Sequence, residues 1–412
     1  MLKISIVMLF ILILNCEALT KKEYKGLELF GKVLNLIQKN YVEEVDQQRL
    51  IYAAVEGMLR ELDPHSQHYP PEAYNEMKQD TSGAFGGIGI EITTRNDELT
   101  IISPIADSPA HRAGIKPGDK IVTIGSESTK DLTIHECIQR LKGNIGTKIT
   151  LSIKREGEEN LLNFTLMRER VREKSVTMKD FGEGIIYFRI SQFQERTAAD
   201  FKKYLAQFKS NNEVNGLVLD LRINPGGILN QAVEIVDLFI NKGEIVSIVM
   251  RDPEQKQIFK ASGSGTYLDF PIVILINDGS ASASEIVAGA LQDHNRAVVI
   301  GTKSFGKGTV QNVIDLEDGS GLKLTIANYY TPSGRTFQAV GITPDIVVKY
   351  DPSDTSIDNH IFEKNLKNHL KSKNLKPEKL KKVSDELTDL MKNDNQLKSA
   401  YSYLKSLIKL KK

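Results

Sequence analysis

The sequence predicts an α/β protein with a mixed α/β core, a smaller β-rich domain inserted ahead of that core, and helical segments at both ends. The core is predicted from the apolar runs GIIYFRIS, GLVLDL, PIVILI and AVVIG and from the helix-like segments between them. Near-continuous apolar strands separated by helices indicate a sheet buried on both faces. The inserted domain is predicted from the short alternating segments and turns that begin near Ser82.

The composition is that of an ordinary globular protein. The chain has 412 residues, 40% hydrophobic and 26% charged, which is enough for two or three domains with sizeable cores. Its formal net charge is +1, so it has no signature of a polyanion-binding surface. We therefore expect no nucleic-acid partner.

The first eighteen residues have the anatomy of a secretory signal peptide. Lys3 precedes an apolar run over residues 4–14, and small residues follow at Cys16 and Ala18. The apolar run is shorter than the ~20 residues that a membrane-spanning helix needs. We predict cleavage after Ala18 and export to the periplasm or envelope, with a lipoprotein modified at Cys16 as the alternative. With Cys137 as the one other cysteine, no disulfide framework is expected.

Helical patterns occupy both ends of the mature chain. The segments LELFGKVLNLIQ and LIYAAVEGMLREL carry apolar residues three and four positions apart, and these faces must pack on the protein body or on a second subunit. The tail from Asp351 is rich in lysine but also in acids, which favours a solvated helical face or a dimer arm over membrane binding. Both ends are therefore candidates for contacts in a homo-oligomer.

Two histidines lie in the proline-rich segment LDPHSQHYPP that follows the helical patterns. His65 and His68 have no acidic or thiol partner at metal-ligand spacing. We interpret both as loop histidines and predict no metal site and no cofactor.

The inserted domain contains two segments with a known pattern. GIGI, at the start of the domain, resembles the carboxylate-binding loop of PDZ domains, and SPAHRAGIKPGDKIVTIG resembles their central signature. Such a loop turns backbone amides toward the terminal carboxylate of a peptide, and the strand beginning near Ile88 would accept the peptide as an extra strand. The alternative is a small β domain whose glycines only make turns. The predicted peptide-binding residues are Gly86, Gly87, Ile88, Gly89 and Ile90.

The segment GTKSFGKGT comes within one residue of a phosphate-binding loop. That motif needs Ser or Thr directly after its lysine and a helix after that, whereas Lys307 is followed by Gly308. The next residues, TVQNVIDL, are rich in β-branched side chains and lead into the turn EDGSG, so they predict a strand entering a hairpin. A nucleotide-binding function is disfavoured.

Two further loops offer groups for catalysis. In DLRINPGGIL, Gly226 and Gly227 follow a strand and precede a helix, an arrangement that exposes backbone N–H groups to an oxyanion. In NDGSASASE, Ser282 and Glu285 form the capping box S-x-x-E. Taken alone, Ser282 would be interpreted as a helix N-cap.

Together with NYYTPSGRTFQAVGITPDI, these loops resemble the C-terminal processing peptidases, also called tail-specific proteases, which are exported serine proteases with a PDZ domain inside the chain. The resemblance runs from NYVEEVD near Tyr41, through LDPHSQHY and the inserted domain, to about Val348. It implies a crotonase-like protease core with a Ser/Lys dyad. In that assignment Ser282 is the nucleophile, Lys307 the base and Gln311 a residue that orients the lysine, while the amide of Ala283 and one from Gly226 or Gly227 form the oxyanion hole.

The implied dyad is chemically reasonable. A serine hydroxyl is a poor nucleophile until a base removes its proton. A solvated lysine titrates near ~10.4 and useful bases nearer ~7 to 8, so Lys307 must be desolvated. Lys303 is the nearest competitor, and the resemblance decides for Lys307. His294 lies about 18 Å from Ser282 along one predicted helix, which is too far for a classical triad.

We therefore predict an exported serine endopeptidase that recognises protein C-termini and either trims C-terminal segments or degrades tagged or misfolded envelope proteins. An inactive relative that only binds C-termini through the PDZ domain is the alternative, and the presence of both dyad residues argues against it. Protein substrates with exposed C-termini are the expected partners, and any adaptor protein is unidentified. The predicted segments are a signal peptide (1–18), a helical region (19–81), the PDZ domain (82–170), the protease core (171–350) and the helical tail (351–412).

Overall fold

The computed structural model describes residues 21–95, 97–105, 107–263, 267–350, 368 and 394–411. The predicted signal peptide, Cys16 and most of the tail lie outside these residues. The chain divides into two compact units, Met1–Glu61 and Leu62–Lys412, which are described separately below. Within the described ranges, no helix has the length and apolar character to cross a membrane.

The described part of the first unit consists of two helices, as the sequence predicts. They are α1 (Lys21–Asn40) and α2 (Gln47–Arg60). The Asp46 carboxylate caps α2 by accepting the Gln48 N–H at 2.8 Å. Large apolar side chains of α1, including Phe30 and Val33, remain exposed. Burial of this face against another surface therefore stays a prediction.

The second unit begins with β1 (Gln67–Tyr69) and α3 (Pro71–Ser82). His68 corrects one sequence interpretation, because it lies in β1 rather than in a loop, and its side chain is buried. Its Nε2 atom is 3.0 Å from the Ser320 hydroxyl oxygen. The prolines around this segment concealed a short strand that pairs with the core.

The inserted domain is a small β structure with its own core, and its principal sheet has the order β3–β4–β5–β7–β8 with β6 beside β5. A separate ribbon pairs β2 with β9, the two ends of the insertion. Apolar side chains from the sheet and from α5 form the core. The elements are β2 (Ala84–Gly87), β3 (Ile90–Arg95), β4 (Glu98–Pro104), α4 (Pro109–Arg112), β5 (Lys120–Ile124), β6 (Glu127–Ser128), α5 (Ile134–Leu141), β7 (Lys148–Lys154), β8 (Leu162–Met167) and β9 (Glu169–Arg172).

The main core sheet contains every apolar run that the sequence predicts as a strand. Its order is β10–β11–β12–β15–β16–β19, parallel except for the antiparallel edge strand β10. Three helices pack on one face and a fourth on the other, which confirms the prediction of a sheet buried on both faces. The elements are β10 (Val176–Asp180), β11 (Ile185–Ile190), α6 (Thr197–Asn211), β12 (Gly216–Asp220), α7 (Leu229–Asp237), β15 (Ile272–Ile276), α8 (Ala283–Asp293), β16 (Ala297–Gly301), β19 (Ile346–Val347) and α9 (Asn395–Lys411).

Helix α9, at the described end of the tail, has one face in the core, a contact that the interpretation of the tail as a solvated helical face or dimer arm does not include. Leu397, Ala400 and Leu404 are buried against the sheet face that carries Val218 and Leu275. These residues recur at helical spacing, and the sheet face they cover is apolar. Helix α9 is therefore part of the core, and its opposite face, rich in lysine, lies at the surface.

A second sheet follows the order β1–β18–β13–β14, with β17 also paired to β18. The β17–β18 hairpin confirms that a strand and a turn, rather than a helix, follow Lys307. The loop therefore lacks the helix N-terminus on which a nucleotide phosphate would sit. The remaining elements are β13 (Glu244–Met250), β14 (Lys256–Lys260), β17 (Thr309–Asp315) and β18 (Gly321–Tyr330).

Candidate active site

Three loops meet beyond the carboxyl ends of neighbouring core strands, where chemistry commonly collects on such sheets. The loop after β12 carries Gly226 and Gly227, the loop after β15 carries Ser282, and the loop after β16 carries Lys307. The structure thus brings together the segments that the family resemblance assigns to the dyad and to the oxyanion hole.

Backbone hydrogen bonds join the three loops directly. The Ala281 N–H donates to the Asn224 carbonyl at 3.0 Å, which connects the first loop to the second. The Phe305 N–H donates to the Ser280 carbonyl at 3.0 Å, which connects the third loop to the second. Backbone groups alone make these two bonds, so they connect the three loops whatever side chains the loops carry.

Ser282 adopts an unusual backbone conformation at the start of α8. Its φ is 53° and its ψ is −112°, and the residue is only partly buried. A positive φ is uncommon for a residue with a Cβ atom and is found at sites where the surrounding structure imposes it. Ser282 therefore lies in a sharp turn between β15 and α8 and is not fully enclosed by the fold.

The carboxylate of Glu285 holds this turn and the Lys307 loop together. It is completely buried and accepts four hydrogen bonds. Its Oε2 atom accepts the backbone N–H groups of Ser282 and Lys307, each at 2.8 Å. Its Oε1 atom accepts the Gly306 N–H at 2.8 Å and the Ser304 hydroxyl at 2.6 Å. Because two amides share one oxygen, the backbone nitrogens of Ser282 and Lys307 lie within about 6 Å of each other.

The environment of Glu285 has two opposing effects on its ionisation. Burial is the larger effect and raises the pKa of Glu285 to about 7, whereas each of its four donors favours the carboxylate form. The sequence motif S-x-x-E predicts the bond from Glu285 to the Ser282 amide, and the structure contains it. The bonds to the loop some twenty residues further along were not predicted.

The two lysines of the third loop differ in exposure. Lys303 is exposed, whereas Lys307 is partly buried. The sequence argument requires a base shielded from water, and of the two side chains Lys307 fits that requirement better.

Gln311 lies on β17, directly after an irregularity in its pairing with β18. Its side-chain amide nitrogen donates to the hydroxyls of Thr309 at 2.9 Å and Thr325 at 3.2 Å. The Thr325 hydroxyl in turn donates to Asp63 at 3.1 Å, so it can only accept from Gln311. This chain of bonds fixes the orientation of the Gln311 amide and leaves its oxygen to act as an acceptor.

Asp63, which the sequence analysis does not single out, anchors this chain of bonds through Thr325. It is buried and also accepts hydrogen bonds from the backbone of His65 and from the backbone and hydroxyl of Ser66. Burial alone would raise the pKa of Asp63, but these bonds hold it below its ordinary value. The signal was present in LDPHS, where an aspartate before Pro and Ser is typical of an Asx-type turn.

The amides proposed for the oxyanion hole are not equivalent. The Gly226 N–H already donates to the Asn224 side chain at 2.9 Å. The N–H groups of Gly227 and Ala283 have no acceptor among the described residues. Gly226 is required for another reason: a Cβ atom there would lie 2.8 Å from the Ser282 Cβ and 3.0 Å from the Ala283 nitrogen.

The predicted peptide-binding segment of the inserted domain combines a ribbon, a turn and an edge strand. Gly86 and Gly87 lie in β2 and pair with β9, and the Ile88 side chain is buried in the domain core, so it is not available to a peptide. The carbonyls of Ile88 and Gly89 accept the N–H groups of Ala110 and Ile105, each at 2.9 Å. Both carbonyls are thus used inside the domain.

The segment continues into a strand with an open edge. Ile90 begins β3, which pairs with β4 on one side, while its other edge has no partner strand among the described residues. Gly89 is needed at the turn, since its φ is +74° and a Cβ atom there would lie 2.3 Å from the Ser108 Cβ. An extended peptide could therefore add to β3 as a further strand.

The remaining candidate residues lie elsewhere. His294 is at the end of α8 and its Nε2 atom contacts the Glu244 carbonyl at 2.7 Å, so it is engaged away from Ser282. Cys137 is buried in the inserted domain. Across the described ranges, no group of three or more His, Cys, Asp or Glu side chains is placed to hold a metal ion.

Comparison with known proteins gives three family matches. The model for peptidase family S41 matches residues 184–348, the PDZ domain model matches residues 86–166, and the model for the N-terminal domain of the activating protease CtpB matches residues 14–72.

Individual relatives cover most of the chain. The carboxy-terminal-processing protease of Bartonella bacilliformis is 45% identical over 329 residues, which are 79% of this chain and 76% of the relative. The carboxy-terminal processing protease CtpB of Bacillus subtilis is 35% identical over 330 residues, 79% of this chain and 68% of the relative. Among solved structures, the photosystem II D1 C-terminal processing protease is 28% identical, with a TM-score of 0.46 over 78% of this chain and 92% of that one.

The pKa of Glu285 predicts how stability depends on pH. In the folded protein this pKa is raised to about 7, against 4.5 for an ordinary glutamate, so the folded state retains a proton that the unfolded state has lost. Between these two pKa values, the free energy of unfolding of the native protein should fall relative to that of Glu285→Gln as pH rises. The fall should be at most ~1.4 kcal/mol per pH unit. Urea denaturation between pH 4 and 8 measures both curves.

The matched control for this experiment is Glu317→Gln, a carboxyl group on the exposed β17–β18 turn, which should leave the profile unchanged. Parallel curves for the native protein and Glu285→Gln would show instead that the pKa of Glu285 is the same in the folded and unfolded states.

Proposed function

Since the chain belongs to the carboxy-terminal-processing proteases of peptidase family S41 and contains a PDZ domain, we propose that it cleaves proteins with a Ser282–Lys307 dyad after capturing their C-termini. Family membership confirms the prediction of a serine-type peptidase. The residue roles, the export of the chain and its substrates are our proposal.

The observation that carries the proposed dyad is the Glu285 carboxylate, which binds the backbone of both residues through one oxygen atom. In the proposed reaction Lys307 removes the Ser282 hydroxyl proton as the oxygen attacks a substrate carbonyl. The resulting ammonium group then protonates the departing amine. Water, activated by the same lysine, hydrolyses the acyl-enzyme and restores the serine.

Two backbone amides would stabilise the tetrahedral intermediate. We assign them to Ala283 and Gly227, because the Gly226 N–H is already engaged by Asn224. Ala283 opens α8, so the positive end of the helix dipole also favours an oxyanion at this point.

Gln311 is proposed to orient Lys307. Its amide nitrogen is held by two threonine hydroxyls, which leaves its oxygen available as an acceptor for the lysine ammonium group. A lysine side chain has several rotatable bonds, so a fixed acceptor reduces the number of conformations in which the nitrogen misses Ser282.

The PDZ domain is proposed to bind the terminal carboxylate of a substrate at the turn around Gly89 and its last residues along β3. The carbonyls of Ile88 and Gly89 support this assignment, because both accept hydrogen bonds inside the domain. The backbone amides of the turn would then face the opposite side, where a carboxylate could bind. Ile90 would begin the strand to which the substrate pairs, while Gly86 and Gly87 would hold the turn to β9.

The dyad predicts strongly non-additive mutants. Ser282→Ala and Lys307→Ala should each lower kcat/KM for an unfolded protein substrate about a thousandfold or more, and the double mutant should be no worse, because the two residues act as one unit. Lys303→Ala, which changes the exposed lysine of the same loop, is the matched control and should retain activity. Loss of activity in Lys303→Ala with activity retained in Lys307→Ala would reverse the assignment.

This experiment also tests the alternative function. If the native protein and Ser282→Ala are equally inactive but both bind C-terminal peptides, the chain is a PDZ-type binding protein rather than a protease.

The PDZ assignment predicts a dependence on the substrate C-terminus. One substrate is prepared with an apolar tail, with the same tail amidated, and with an acidic tail. Cleavage of the second and third should be about tenfold slower, because the proposed turn amides need a carboxylate and the proposed pairing along β3 selects apolar side chains. A free apolar peptide added in trans should alter the rate, by activation if occupancy assembles the site and by competition if it only recruits. Equal rates throughout would make the domain a spacer.

We also propose that the chain is exported to the periplasm or envelope and acts there on proteins with exposed C-termini, with contacts between copies through its N-terminal helices. Export rests on the signal-like composition of residues 1–18. Mass spectrometry of the protein recovered from host cells should find a chain beginning near Leu19. A lipid-modified Cys16 as first residue would make it a lipoprotein, and an intact Met1 would contradict export.

A further inference from the structure

Ile223 is a strained residue beside the candidate active site. It lies in the loop after β12, its φ is +55°, and 67% of the residue is exposed. Eight of the described residues other than glycine have a positive φ, and Ile223 is the β-branched one among them. A branched Cβ collides with its own backbone in this conformation, which asparagine or glycine adopts far more readily.

The surrounding backbone imposes this conformation. The Arg222 guanidinium is held by Asp220 and Asp394, each at 2.7 Å, which anchors the residue before Ile223. The Asn224 carbonyl accepts the Ala281 N–H, which anchors the residue after it. The Ile223 N–H itself donates to the Asn277 side chain at 2.9 Å. None of these contacts uses the Ile223 side chain.

Folding does not explain the choice of isoleucine. An exposed side chain contributes little to the hydrophobic stabilisation of the folded state, so burial does not offset the strain. Strain that the fold does not need is a recognised feature of functional sites. The exposed isoleucine side chain is therefore available to a molecule that arrives from solvent.

Ile223 lies at the surface of the loop after β12, next to the loop that carries Ser282. A Cβ atom added to Gly279, three residues before Ser282, would lie 2.8 Å from the Ile223 Cα. In the other direction along the chain, Gly227 follows Ile223 by four residues in the same loop. Ile223 thus lies against the backbone of the loop that carries Ser282.

We propose that Ile223 is a specificity-determining residue that contacts an apolar side chain of the substrate close to the scissile bond. The assignment rests on the proposed proteolysis at Ser282. The substrate would then be selected twice: by its C-terminus at the PDZ domain, and by an apolar side chain near the scissile bond at Ile223. Contact with one apolar side chain typically discriminates about 10- to 200-fold.

The test uses fluorescence-quenched peptides that share one apolar C-terminal tail. The scissile bond is located by mass spectrometry, and each of the three residues on either side is changed in turn from Leu to Ser. Ile223→Asn should lower the preference for Leu at one position about tenfold, mainly through KM, and leave the other positions unchanged. Ile223→Leu keeps an apolar side chain and should retain the preference. Ile258→Asn, at an exposed isoleucine of β14, is the matched control.

Thermal unfolding separates recognition from folding. Asparagine relieves the backbone strain, so the Tm of Ile223→Asn should be equal to or a few degrees above that of the native protein. A lower Tm, an equal loss of kcat for all peptides, or an unchanged preference at every position would each overturn the inference. If the native protein cleaves none of the peptides and does not react with a serine-directed fluorophosphonate, the proposed proteolysis itself fails.

Discussion

The buried carboxylate of Glu285 is the interaction on which the candidate site depends. A carboxylate in the interior is stable only when donors surround it, and here all four donors come from segments that must be in place together: the Ser282 turn, Ser304, Gly306 and Lys307. Ser304 extends the network, because its hydroxyl oxygen accepts the Ile342 N–H at 2.6 Å. One side chain therefore sets the separation of the two proposed catalytic residues through their backbones. Their side chains then need to adjust only over a short range.

The loop with the proposed oxyanion amide is supported from the opposite side of the sheet. Arg222 connects Asp220 at the end of β12 with Asp394, which directly precedes α9. Burial alone would raise the pKa of Asp394, but the bonds from Arg222 hold it below its ordinary value, so the pair stays ionised. The apolar face of α9 anchors this ion pair to the sheet. The last helix of the chain thus contributes to the geometry of a loop more than 160 residues earlier in the sequence.

Local patterns predicted the elements well and the long-range contacts poorly. The apolar runs became strands of the main sheet, and the motif S-x-x-E predicted the bond between Glu285 and Ser282. Nothing local could show that Glu285 also binds Lys307, or that Asn224 occupies the Gly226 amide and so favours Gly227. Helix α6 was missed although Phe201, Leu205 and Phe208 recur at helical spacing. The many lysines of the tail drew attention away from the apolar residues of α9, so its packing on the sheet was not predicted. The roles of Ser282 and Lys307 came from the family resemblance and not from periodicity.

The insertion of the PDZ domain is joined to the core close to the same loop. Strands β2 and β9 bring both ends of the insertion together, and Gly83, at its start, packs so closely on Gln194 that an added Cβ would lie 2.3 Å from the Gln194 side-chain oxygen. The next residue back, Phe193, exchanges backbone hydrogen bonds with both neighbours of Gly227: its N–H donates to the Gly226 carbonyl and its carbonyl accepts the Ile228 N–H, each at 2.8 Å. Gln194 contacts the start of the inserted domain at Gly83, and its neighbour Phe193 contacts both neighbours of Gly227. Two adjacent residues therefore lie between that junction and the proposed oxyanion amide. A movement of the domain junction at Gly83 that displaced Phe193 and Gln194 would change the direction of the Gly227 N–H. Stabilisation of the transition state depends strongly on that direction.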